Sequence, residues 1–427
     1  HSGKMGVMLS APVELTRVQR KGSPSFRAAV AEMQGWRTGH EDDHAMECTA
    51  DWGSFWVLDG HGGDGASLFC APQLAKTTSD ELKEGKGLPA DDVISQCFED
   101  VDKKFRSHVA SHPDQDSGST VVGALITKDK DGLYSVKICN CGDSRGLIIA
   151  PASEQAKPAT SKVTVRRPGH LIEDPPVWPL HAASIDHKPD YFSEKERIEA
   201  AMGFVSADDP PRLDGNLAVS RGMGDFEYKQ AMDKPAAVQK VSCIPEIYEA
   251  HNLVEGTIVV LACDGLWDVM TDNQVADIVR ADLQQNDKAD LGVMAAELVH
   301  KALAENSRDN VTCMIIQLVD GTCWSEKSNR FNNSDEMMYF GKIAPGEAEK
   351  NDDELKKQYK TFLDRCKFPD KPVQCAVTGR WFANMWKCPG TDNVYMNRHY
   401  QKKGWTRNKN GEPIAKEYPS RELKDEP

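Results

Sequence analysis

"F-W-V-L-D-G-H-G-G-D-G-A-S", residues 55–67, runs four apolar residues straight into Asp59-Gly60-His61-Gly62-Gly63. The apolar run has the composition of a buried strand, and an Asp-Gly pair commonly ends a strand in a turn. One glycine makes a turn; a histidine set between glycines asks for more. The backbone there must pass close to something, with Asp59 and His61 pointing at it.

The same plan recurs along the chain. "Y-S-V-K-I-C-N-C-G-D-S-R" (134–145) puts Asp143 at its exit, and "G-T-I-V-V-L-A-C-D-G" (256–265) puts Asp264 at its exit. Segments 119–127 and 310–319 read as further buried strands, while 91–109, 193–202, 272–283 and 289–304 read as helices. Strands dominate and do not alternate one for one with helices. That predicts an α+β fold of antiparallel sheets with helices outside, rather than a doubly wound parallel sheet. Residues 150–180, rich in Pro, Ala and charge, read as a loop or insertion. After residue 320 the sequence turns polar, strand-poor and Trp-rich, which predicts a separate C-terminal appendage over 321–427.

Composition narrows the function classes. With 39% apolar and 28% charged residues, the chain reads as a soluble globular protein. A formal charge of -14 argues against nucleic acid, whose phosphates need a basic face. Several of the 12 cysteines, among them Cys139, Cys141, Cys263 and Cys313, sit inside apolar runs and read as reduced thiols. No apolar run approaches the ~20 residues of a membrane span. The opening His1-Ser2-Gly3-Lys4 reads as a tag remnant ahead of Met5. Residues 5–10 (M-G-V-M-L-S) fit the N-myristoylation pattern at Gly6, so a cytoplasmic protein with weak membrane association is expected. The N-terminal segment is read as 5–20.

More acids lie near these turns. Glu41 and Asp42 follow Arg37, Asp268 follows Asp264 by one helical turn, and Asp309-Asn310 precedes the last strand. Carboxylates gathered at one rim repel each other unless cations neutralise them, and hard oxygen ligands suit Mg2+ or Mn2+. Spacing alone does not unite positions two hundred residues apart.

In chain order stand M-Q-G-W-R-T-G-H-E-D, D-G-H-G-G, S-G-S-T, C-G-D-S-R, D-H-K-P, L-A-V-S-R-G-M-G-D, C-D-G-L-W-D-V-M and S-R-D-N-V-T, between residues 33 and 313. This set resembles the type 2C, metal-dependent Ser/Thr protein phosphatases. The resemblance implies a catalytic domain over 21–320, two antiparallel sheets packed face to face between helices, and a metal site at one rim. It implies that Asp59 bridges two Mn2+ or Mg2+ ions, that Gly60 lends a carbonyl, and that Asp264 and Asp309 complete the inner acids. Glu41 and Asp42 would hold metal-bound waters, and Asp143, Asp268 and Asp264 a weaker third ion. Arg37 would bind phosphate and His61 would act as general acid on phosphoprotein substrates, with no phosphoenzyme. Two other readings stay open: a catalytically weak binding module of the same fold, and a metal-dependent phosphodiesterase.

Bland readings fit other residues better. His40 and His44 read as exposed loop residues, Ser220, Arg221 and Asp225 as scaffold and as groups that hold the site's own residues in place, and Trp36 and Trp267 as packing. In the tail, Cys366, Cys375, Cys388 and His399 raise zinc, yet their spacing lacks the tight Cys pair of structural sites. Oligomeric state leaves no trace in the sequence.

Overall fold

Segments apolar on both faces form the middle of two sheets. The computed structural model describes residues 8–83, 87–154, 163–169, 176–286, 289–321, 334–339, 350 and 352–368, with a few short strands beyond. The first sheet is built from β1 (Val13–Ser23), β2 (Phe26–Gly35), β7 (Arg145–Ile149), β9 (Leu180–Ala183), β12 (Ile258–Ala262), β13 (Val311–Leu318) and β14 (Ser334–Tyr339). Its order is β14-β1-β2-β13-β12-β7-β9, and Trp381–Phe382 and Val373–Gln374 extend it past β14. The second contains β3 (Asp43–Cys48), β4 (Trp52–His61), β5 (Gly118–Lys128), β6 (Tyr134–Cys141), β8 (Thr164–Arg166) and β11 (Glu246–Leu253). It runs β3-β4-β5-β6-β11-β8, with the two-residue β10 (Met223–Gly224) on β5. Every ladder in both sheets is antiparallel.

Alternate residues of these strands divide three apolar layers, as the two-residue period of a strand requires. Phe26, Val30, Val57, Val122, Ile138, Val259 and Met314 fill the space between the sheets. On the outer face of the first sheet, Ala31, Met33, Val260 and Ile315 meet α5 (Asp272–Gln285) and α6 (Leu291–Ala304). On the outer face of the second, Trp56, Leu58, Val121 and Cys139 meet α1 (Gly65–Lys83) and α2 (Asp91–Val109). The architecture is α-β-β-α, as expected. Two short helices complete the middle of the chain, α3 (Phe192–Ala200) and α4 (Asp264–Trp267). Helix α1 escaped the reading of periodicity because small residues and an internal Pro72 blur its apolar stripe.

The boundary expected at residue 320 does not divide the sheet. β14 pairs with β1 over six residues, from Leu15 opposite Tyr339 to Arg20 opposite Ser334. Arg20 ties the two sides together, reaching Asp290 at 2.7 Å and Glu336 at 3.1 Å. Helix α7 (Asp353–Arg365) then buries Leu355, Tyr359, Phe362 and Leu363 against Leu9, Val13, Leu15 and Met337. Polar composition hid this, because only one face of α7 is apolar. Within 150–180, the described residues include β8, which pairs with β11. Cys366 is buried and reduced, whereas Cys375, Cys388, His399 and Gly6 lie outside the described residues.

Four buried side chains of α7 are worth about 1.5–3 kcal/mol each before the entropy of ordering them is subtracted. A chain ended at residue 320 should therefore melt about 5–15 °C below the full chain, or aggregate through the bared edge of β1. Calorimetry checks this; an unchanged melting temperature would mean that β14 and α7 add no stability.

Candidate active site

Both sheets deliver their acids to one rim. Asp59 lies in the β4 ladder opposite Thr120 of β5. Asp42 immediately precedes β3, and Asp143 follows β6. From the other sheet, Asp264 opens α4 just after β12, and Asp309 stands just before β13. The 34–42 segment, which connects β2 to β3, carries Arg37, Glu41 and Asp42. A groove of about 1090 Å³ is lined by Arg37, Glu41, Asp59, Gly60, His61, Asp143, Asp264 and Asp309, with further residues from 208–228.

The glycines after Asp59 answer a spatial need. A Cβ on Gly60 would stand 2.4 Å from the Glu41 carbonyl oxygen, so only glycine lets the two segments touch. Gly62 and Gly63 have φ of 72° and 132°, which turn the chain sharply into α1. Opposite, Asn310 pins the 34–42 segment. Its amide nitrogen donates to the carbonyls of Gln34 at 2.8 Å and Gly39 at 2.9 Å, and its Oδ1 accepts from the Glu41 N–H at 2.8 Å.

The electrostatics are those of crowded like charges. Burial, followed by the fields of Asp264, Asp42, Asp309 and Asp143, holds Asp59 well above the usual carboxylate range. Asp264 is raised in the same way, by burial and then by Asp143, Asp309 and Asp268. Burial pushes Asp42 up to about 7. Its Oδ2 accepts from Thr312 Oγ1 at 2.6 Å, but its Oδ1 is buried with no hydrogen-bond partner. Burial also raises Glu41, Asp268 and Asp309. Carboxylate oxygens of Asp42 and Asp59 and the Cys263 sulfur lie within 4.8 Å of one another. Burial keeps the Cys263 thiol protonated, so oxygen remains the donor type. An orphaned carboxylate oxygen among mutually repelling acids fits hard divalent cations.

The structure thus brings together Glu41, Asp42, Asp59, Asp143, Asp264, Asp268 and Asp309. Arg37 is ion-paired to Asp309. His61 is 31% exposed, and its Nε2 lies 2.8 Å from Asp225 Oδ2. Burial alone would lower the imidazole; Asp225 more than reverses this and raises it.

Sequence reasoning placed Asp225 among the scaffold and supporting groups, and its carboxylate does support the site by contacting His61, a partner that reasoning did not name. It also passed over Lys188, whose Nζ sits 2.5 Å from Asp143 Oδ2, and Asn310. Both belong to motifs already singled out (D-H-K-P and S-R-D-N-V-T), so position within a motif was the available signal. His40 and His44 are not exposed loop residues. His44 joins buried Glu32 at 2.5 Å, and His40 packs against the Phe362 ring, because α7 covers this connection. Arg221 is scaffold as expected, bridging Glu194 at 2.6 Å and Glu246 at 3.0 Å. Trp267 packs, donating Nε1–H to the Ala262 carbonyl at 2.9 Å.

An antiparallel α-β-β-α sandwich with carboxylates converging on one rim defines a metal-dependent hydrolase. The family model for Protein phosphatase 2C matches residues 26–311. Human Protein phosphatase 1A is 32% identical over 326 residues, covering 73% of this chain and 76% of its own. A probable protein phosphatase 2C of Caenorhabditis elegans is 32% identical, covering 74% of this chain and 81% of its own. Among solved structures, a Toxoplasma gondii phosphatase shares the fold with a TM-score of 0.57 at 23% identity, covering 72% of this chain and 96% of its own. The chain belongs to the protein phosphatase 2C family: it is a metal-dependent protein serine/threonine phosphatase.

A carboxylate whose folded pKa lies above its unfolded value of about 3.9 stabilises the fold only while protonated. That stability is full below the unfolded pKa and is lost as pH rises through about 7, where Asp42 titrates. In chelator, the melting temperature should fall progressively from about pH 4 to a little above pH 7, and Mn2+ should restore it at the upper end. A flat profile in chelator would count against the strained cluster.

Proposed function

We propose that Asp59, Gly60, Asp264 and Asp309 hold two Mg2+ or Mn2+ ions during the reaction. In this reading Glu41 and Asp42 hold waters on them, and Asp143 and Asp268, with Asp264, take a weaker third ion. The observation that carries it is the convergence of Asp59, Asp264 and Asp309 from two sheets on one groove, where burial and the neighbouring carboxylates raise each of them and a divalent cation would let them stay ionised. Bound there, divalent cations supply a water acidified enough to attack phosphorus in line near neutral pH.

The remaining roles fall to groups of this chain. Arg37 exchanges its partner Asp309 for two oxygens of the substrate phosphate, which its planar fork can grip together. His61 protonates the departing serine or threonine oxygen. Asp225 occupies Nε2, so Nδ1 is the nitrogen left to donate, and the carboxylate favours the charged imidazole. Among the described residues, the buried thiols take no part: burial raises Cys139, Cys141, Cys243 and Cys263 away from the reactive thiolate. Acylation of Gly6 would add weak membrane attachment to a cytoplasmic enzyme. Co-expression with a myristoyl-transferase should add one lipid mass, and Gly6→Ala should abolish it.

A serine alkoxide leaves poorly without a proton, whereas a nitrophenolate leaves unaided. His61→Gln should reduce phosphopeptide hydrolysis about 10- to 1000-fold more than nitrophenyl phosphate hydrolysis. Asp59→Asn should damage both substrates alike. Equal losses for His61→Gln at saturating Mn2+ would remove its role as proton donor and leave the metal reading standing.

A further inference from the structure

Helix α7 lies wholly outside the region that matches the family model, yet it touches the segment carrying Arg37 and Asp42. Gln358 is 7% exposed, and its Oε1 accepts from Gln34 Nε2 at 3.1 Å. The same Gln34 nitrogen donates to the Arg37 carbonyl at 2.9 Å. One turn on, the Phe362 ring meets His40 edge to face at 5.3 Å. At the end of the helix, Arg365 Nη2 donates to the Asp42 carbonyl at 2.6 Å, and its Nε lies 3.7 Å from Asp64 Oδ2.

These contacts fall on residues 34, 40 and 42. Between them the segment is gripped twice, by Asn310 at residues 34, 39 and 41 and by α7 at 34, 40 and 42. Arg37 stands between the two grips with its side chain 44% exposed. A long exposed guanidinium has many rotamers, so its reach to a phosphate depends on where its backbone is held.

We infer that α7 is a brace for the phosphate-binding segment, with Gln358 and Arg365 acting as positioning residues for Arg37 and Asp42. Gln358 works through Gln34, which needs both of its amide hydrogens to span Gln358 and Arg37. Arg365 closes the other end at Asp42. The inference rests on the reading of Arg37 as the phosphate-binding residue. Neither positioning residue touches substrate, so their loss loosens binding more than it slows turnover.

Steady-state kinetics of the full chain with nitrophenyl phosphate at saturating Mn2+ tests it. Gln358→Ala and Arg365→Ala should each raise KM about five-fold, the value of one or two hydrogen bonds, with kcat changed less than two-fold. Adding Gln358→Ala to Arg37→Ala should raise KM no further, because Gln358 acts through Arg37. Leu363→Ala serves as the packing control: it empties the same cluster and should lower the melting temperature without changing KM. If Arg37→Ala raises KM and both positioning variants leave it at the wild-type value, the brace is overturned while the role of Arg37 stands. If Leu363→Ala raises KM as much as Gln358→Ala does, the effect is loosened packing and the brace is again overturned. If Arg37→Ala itself leaves KM unchanged, the phosphate-binding reading fails and takes the brace with it.

Discussion

Carboxylates that cannot move apart are the constraint on which this molecule is organised. Each unit by which an acid is raised costs about 1.4 kcal/mol in the ionised state, and several acids at the rim are raised together. A loop would relax by swinging them into water. Strand exits cannot: Asp59 is locked in the β4 ladder, and Asp264 and Asp309 are fixed by the adjacent β12 and β13. The two-sheet sandwich therefore does more than enclose a core. It holds strained acids from two directions at once, and cations relieve the strain that the sheets maintain.

Elsewhere the same residue types are arranged with the opposite result. Burial would raise Glu194, but Arg221 and Arg197 push it far below the usual range. With His187 and Glu246 it forms a buried cluster of metal-ligating types, yet arginine already fills it. Lys229 plays that part for Asp102, at 2.9 Å, and also reaches the Gly222 carbonyl at 2.8 Å. These neutralised pairs brace residues 220–229, and so fix the Asp225 carboxylate that faces His61. The difference between a site and a strut is whether the protein supplies the positive charge itself.

The inner strands and the acids at their exits were legible because each motif couples a local pattern to a local need. An apolar run followed by an acid beside a glycine is a strand and its turn, and Asp59, Asp143 and Asp264 were all found that way. What joins them was not legible in spacing; it needed the family's motif order and then the fold. Contacts between distant segments escaped altogether. Asp225 read as a supporting group, but nothing in "R-G-M-G-D" shows that its carboxylate meets His61, 164 positions earlier. Helix α7 was hidden by its charged outer face, and β14 by its six-residue length. His40 and His44 sit among charges in sequence, but the ring that packs on His40 lies more than three hundred residues away, and His44 is held by Glu32 and Gln19 of the neighbouring strands.

Charge also orders the events at the groove. Ten acidic side chains line it against two arginines, Arg37 and Arg212. A phosphate dianion approaching these walls meets repulsion that falls off only over a Debye length of about 8 Å in physiological salt. Arg37 is paired with Asp309, so the nearest cation is partly cancelled. Positive charge bound among Asp59, Asp264 and Asp309 would draw Asp309 toward itself and release Arg37 to face outward. The rim then changes sign where phosphate must sit, while the outer walls stay acidic. In the reading proposed above, metal loading would be a condition for substrate binding as well as for the chemistry that follows.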